Sequence, residues 1–113
     1  NKLSGATLQT ASGKWVSARE DNFKAAAKYA SWTKKDNFYG LLALQPGDTS
    51  YPIVAASFIL LPTETIETNK QVLDFFEYAF AKGDEAAKKL GYIPLPIETK
   101  ELIRSYWKEK GLK

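Results

Sequence analysis

The chain has 113 residues, 44% of them hydrophobic and 13% aromatic, which is enough for one domain with a buried core. Its 16 basic and 13 acidic residues are interleaved and leave a net charge of +3, so no single-sign block marks a nucleic-acid arm. Cysteine and histidine are both absent, which excludes disulfides, thiolate nucleophiles, Cys- or His-ligated metals and the commonest general base at neutral pH.

Leu3 to Val16 alternate weakly around Ser12-Gly13, which predicts a hairpin with Gly13 supplying the positive φ of the turn. Ser17-Ala18-Arg19-Glu20 has the form of a capping box, so a helix is expected from about Ser17 to Ser31. Phe23, Ala26, Ala27 and Ala30 share one side of it, and the small residues imply close packing. Trp32 to Asp48 has no stable period, and Gln45-Pro46-Gly47-Asp48 carries turn chemistry.

Ile53 to Leu61 is apolar throughout except at Ser57, which predicts an interior strand covered on both faces, bounded by Pro52 and Pro62. This run is too short to span a bilayer. Val72, Phe76, Ala79 and Phe80 form a helical stripe, with Leu73 beside it and Gly83 as terminator. A short helix from Asp84 to Leu90 stops at Gly91, Ile93-Pro94-Leu95-Pro96 must be extended, and a last helix runs from Glu98 to Lys110. Leu102, Ile103, Tyr106 and Trp107 make its buried face, Gly111 caps it, and Lys108 to Lys113 read as a solvated helix end.

Three acidic pairs could in principle share acid and base roles: Glu64 with Glu67, Asp84 with Glu85, and Glu98 with Glu101. All sit near predicted helix starts, where a carboxylate is favoured by the helix dipole, so the structural role is preferred. Asp48-Thr49-Ser50 lacks the glycines of a phosphate-cradling loop and reads as a turn. Gly83-Asp84-Glu85 opens a helix, yet its carboxylates would repel phosphate. Phe75, Phe76, Tyr78, Phe80, Tyr106 and Trp107 fall at core spacing on helices, although Phe75 or Tyr78 could face a protein partner. The residues alone describe an α+β domain without a recognisable active site.

An ordered series of motifs adds to this. Gly13-Lys14, Val16-Ser17, Glu20, Asn22-Phe23, Ala26-Ala27 and Trp32 come first, followed by Leu44-Gln45-Pro46-Gly47 and Tyr51-Pro52-Ile53. Phe58-Ile59-Leu60, the aromatic helix Val72-Leu73-x-Phe75-Phe76-x-Tyr78-Ala79-Phe80, Gly83-Asp84, Leu90-Gly91-Tyr92, Leu95-Pro96 and Trp107 complete it. In order and spacing the series resembles the last third of the periplasmic phosphate-binding family, the solute receptors of the high-affinity phosphate ABC transporter.

That resemblance implies an α+β fragment, helix-rich with few strands, of a two-lobed α/β periplasmic-binding-protein fold. Residues 1–38 would finish the second lobe, 39–50 would lie near the hinge, and 51–113 would return to complete the first lobe. The function implied is a non-enzymatic share of an exported receptor: scaffold, hinge and a surface for the ABC permease subunits, with inorganic phosphate bound by the full-length protein only. It implies a place in the periplasm or on the extracytoplasmic face of the envelope. The family's phosphate-binding motifs precede this region, so no phosphate-binding, catalytic or metal residue is assigned; Arg19 and Arg104 are the only arginines and stand in no such motif.

Asn1 is not a methionine and no signal-peptide pattern opens the chain, so its N-terminus is expected to be a cut boundary. An isolated Ile53–Leu61 strand would leave unpaired edges, so self-association, element exchange or an alternative compact arrangement is expected. The rival reading is a free-standing interaction module that uses the aromatics of the C-terminal helices. An enzyme built on Glu98 and Glu101 comes third.

Overall fold

The computed structural model describes residues 4–62 and 64–112. Among these the element order is β1 (Thr7–Gln9), β2 (Trp15–Ser17), α1 (Glu20–Tyr29), α2 (Ile66–Lys82), α3 (Asp84–Lys89) and α4 (Ile97–Glu109). This is the helix-rich, strand-poor content expected of the fragment. The chain divides into two units, Asn1–Ser57 and Phe58–Lys113.

In the first unit β1 and β2 pair antiparallel, with Leu8 opposite Val16 and Gln9 opposite Trp15. The strand period of two puts Val16 inside and leaves Trp15 exposed. Gly13 turns the hairpin at φ 85°, as its position predicts, and the Gln9 side chain donates to its carbonyl at 3.0 Å. Beyond the hairpin, α1 buries Ala26 and Ala27 on the predicted face. Ala27, Ala30 and Leu42 form a small core on which Trp32, Val54 and Ala56 pack. The Trp32 indole donates to the Ala27 carbonyl at 2.8 Å, so the ring buries apolar area without stranding its N–H.

The N-terminus of α1 corrects the sequence reading. The helix starts at Glu20, not Ser17, and its N-cap Arg19 makes no side-chain capping bond. Ser17 is committed to the β2 ladder opposite Thr7, and its carbonyl accepts from the Arg19 N–H at 2.9 Å and the Asn22 amide at 2.8 Å. Pairing in the hairpin wins over the capping box because it satisfies the same backbone from farther along the chain.

The larger correction concerns Ile53 to Leu61, which is not a strand. Among the described residues the two strands pair only with each other. A strand exists through its ladder, and among the described residues no segment pairs with this run, so it stays irregular. Val54 and Ala56 reach the first unit's core, while Ile53, Phe58, Ile59 and Leu60 are exposed, Leu60 by 89%.

In the second unit α2 begins earlier than the aromatic stripe suggests. The Asn69 N–H caps back to the Thr65 carbonyl at 2.9 Å, and the buried Asn69 amide donates to the Pro62 carbonyl at 2.6 Å. Leu73, at the margin of the predicted stripe, is its most buried apolar residue, while Phe76, Ala79 and Phe80 are half-buried. On α4, Trp107 is buried as expected, but Leu102, Ile103 and Tyr106 are only half-buried. Thr99 and Lys100 take the deep positions instead, which the apolar pattern does not anticipate.

A cleft at the α2–α3 junction and the candidate site

The second unit contains a cleft of about 300 Å³ whose walls include Phe76, Phe80, Ala87, Tyr92, Leu95 and Lys100. It exists because α2 ends and α3 begins with almost no loop. The Gly83 N–H closes on the Ala79 carbonyl at 2.8 Å, and a Cβ at Gly83 would stand 2.6 Å from that same oxygen. Gly83 is therefore required for its lack of a side chain, not for a left-handed conformation, since its φ is −87°. Asp84 follows at once as the first residue of α3. Gly91 then reverses the chain at φ 83°, and Pro94-Leu95-Pro96 carries it to α4.

Lys100 projects from the first turn of α4 into this wall with its side chain 5% exposed. Its ammonium donates to the Phe80 carbonyl at 3.0 Å and to the Asp84 carboxylate oxygens at 2.6 and 2.9 Å. An ammonium has three N–H groups, and these three acceptors satisfy them. The Phe80 ring lies 5.8 Å from the ammonium and stacks on Trp107 at 5.7 Å with the planes 9° apart. The buried charge is thus matched, as burial demands.

A second charged cluster ties α2 to α4. Arg104 holds the Glu77 carboxylate in a fork, Nε at 3.0 Å from both oxygens and Nη2 at 2.8 Å from Oε1, and also bonds Glu101 at 2.5 Å. The hydrogen bond to Glu77, aided by Glu101, raises the guanidinium pKa above its ordinary value, against a smaller opposing effect of burial. With two carboxylates on it, Arg104 is a structural strut and poorly suited to a phosphate. Arg19 is exposed at the start of α1.

The acidic pairs of the sequence do not converge on a reacting centre. Glu67 faces Lys70 at 3.7 Å, Glu85 faces Lys88 at 3.0 Å, and Glu101 is on Arg104. Asp84 is separated in role from Glu85 by its bond to Lys100. Glu64 and Glu98 are exposed. The Asp48 carboxylate accepts from Ser12 at 2.6 Å, and the Ser50 hydroxyl donates to the Pro46 carbonyl at 2.7 Å, so this segment is a bonded turn. Phe75 and Tyr78 are 64% and 68% exposed, whereas Phe80 and Trp107 supply packing. Among the described residues no group of carboxylates could hold a metal ion, and no helix is long and apolar enough to cross a membrane.

The Lys100–Asp84 pair and the cleft were not found from the sequence. Their charges stand 16 residues apart on different helices, and no helical or strand period links them.

No family model matches the chain. Among curated proteins it is similar to the phosphate-binding protein PstS of Haemophilus influenzae, 41% identical over 110 residues, covering 96% of this chain and 33% of that protein. The protein of the same name from Pasteurella multocida is 43% identical over 96% of this chain and 32% of its own length, and one from Xylella fastidiosa is 38% identical over 95% and 30%. The chain therefore spans about a third of the length of the curated relatives it matches.

Proposed function

We propose that this chain, a homologue of about one third of a phosphate-binding protein, is the C-terminal portion of a periplasmic receptor that delivers inorganic phosphate to an ABC permease. The observation that carries the reading is the match over 95–96% of the chain to a limited part of longer proteins that share one name. Residues 1–38 complete one lobe, 39–50 lie beside the hinge, and 51–113 complete the other. The chain's role is scaffold, hinge and a surface for the permease. It is not an enzyme, and the phosphate ligands belong to the remainder of the receptor.

Two features support this division of labour. Arg104 is consumed by Glu77 and Glu101. The exposed Ile53, Phe58, Ile59 and Leu60 of the apolar run are the kind of surface left when a strand made for the interior of a sheet lacks its neighbours.

The coding frame upstream of Asn1 tests the assignment. The expected result is an open frame of about two hundred residues, beyond one domain, with a signal peptide and Ser/Thr/Gly-rich loops. A start signal immediately before Asn1 would remove the ligands and with them the phosphate assignment.

A further inference from the structure

We propose that the run Ile53–Leu61 is a self-pairing surface, on which two copies of this chain join as antiparallel strands about a two-fold axis at Ser57. The inference concerns the 113-residue chain itself and does not depend on the phosphate reading. Among the described residues no hydrogen bond is made by the N–H or carbonyl groups of 53–61. Such groups are satisfied by strand addition as readily as by water. The segment is already strand-like over its first half. Val54 and Ala56 turn to the core of Ala27, Ala30 and Leu42, while Ile53, Ala55 and Ser57 are exposed, a period of two.

Three observations commit the surface to a second copy. Between Asp48 and Glu64 the chain carries no charge, so two copies of the run can face each other without like-charge repulsion. Residue size rises along the run. With Ser57 on the axis, Phe58 stands opposite Ala56, Ile59 opposite Ala55, Leu60 opposite Val54 and Leu61 opposite Ile53. Large therefore meets smaller at most positions, and an isologous pair brings that complement by symmetry. The area also suffices. Ile53, Phe58, Ile59 and Leu60 are between 46% and 89% exposed. At roughly 200 Å² per side chain they offer about 500 Å² per copy, and two copies together reach the ~1,000 Å² of a specific interface.

Sedimentation equilibrium of the 113-residue chain tests the pairing. The 12.6 kDa monomer should give way to a dimer between about 5 and about 500 µM, with a Kd on the order of 10 µM, as suits an interface near the lower size limit. Ile59→Lys should weaken association at least tenfold, because the symmetry introduces the buried charge twice. Cross-linking reads the register without relying on that variant. Ser57→Cys, in a chain with no cysteine of its own, should form an intermolecular disulfide under mild oxidation, because the two residues face each other on the axis. Ala55→Cys should not, because its two copies would lie about 13 Å apart along the strands. A monomer throughout that range, association indifferent to Ile59→Lys, or equal cross-linking of both cysteine variants would overturn the proposal. Growth beyond the dimer into fibres would overturn the closed two-fold pairing.

Discussion

Lys100 and Asp84 form an ion pair at 2.6 Å in which the cation is buried and the anion is half in water. The asymmetry fixes how the pair responds to mutation. Asp84→Ala strands a buried ammonium whose only remaining acceptor is the Phe80 carbonyl, and breaking a buried pair in this way costs about 3 kcal/mol. Lys100→Met leaves a carboxylate that water can reach, at a cost of about 1 kcal/mol, the worth of an ordinary hydrogen bond. Denaturant unfolding of the two variants should show this order. Equal losses would mean that the ammonium is better solvated than its burial indicates.

Gly47 is held at φ 101° in the Gln45–Asp48 turn, and a Cβ there would lie 2.7 Å from the Tyr29 ring. Gly47→Ala therefore meets both a left-handed backbone and a neighbour. A loss of about 2 kcal/mol is expected, of which the backbone alone accounts for about 1–2 kcal/mol. The double variant Gly47→Ala with Tyr29→Leu should recover only the steric part. Full recovery in thermal unfolding would show that the backbone was never strained.

Leu44 is a branched residue at φ 53° with its side chain exposed, while its N–H donates to the Pro52 carbonyl at 3.0 Å. Asparagine tolerates this conformation better than leucine and retains the N–H. Leu44→Asn should raise stability by about 0.5–1 kcal/mol, and a lower midpoint would reveal packing by the leucine that its exposure does not suggest.

In dilute solution Ile53 to Leu61 should exchange its amide hydrogens within the dead time of a native-state experiment, because no ladder protects them among the described residues. Leu60→Lys, at a residue 89% exposed, should leave stability within about 0.5 kcal/mol and improve solubility. Slow exchange in the isolated chain would instead indicate pairing between copies.

What could be read from the sequence was whatever depends on neighbours along the chain. The turn at Gly13, the small-residue face of Ala26, Ala27 and Ala30, and the α2–α3 break at Gly83 all follow from local sterics and period. Readings failed where a distant partner decides. Ser17 looked like a cap because the residues after it permit one, but Thr7 claims it for a ladder. Ile53–Leu61 has the composition of an interior strand, and composition cannot supply the neighbour that makes one. Lys100 reads as a polar residue on a helix, and only the fold brings Asp84 and the Phe80 carbonyl to it. The motif series succeeded for a different reason: order and spacing over the whole chain carry more information than any one of its members.

The most direct measurement is phosphate binding by a chimera in which this chain replaces the matching third of the Haemophilus influenzae PstS. If, as proposed, the ligands lie in the unreplaced part and the graft completes the lobes, isothermal titration should show one phosphate bound per chimera with an affinity within about tenfold of the parent. The chain on its own should show no heat of binding. A chimera that folds but fails to bind phosphate, or an isolated chain that binds it tightly, would contradict the account.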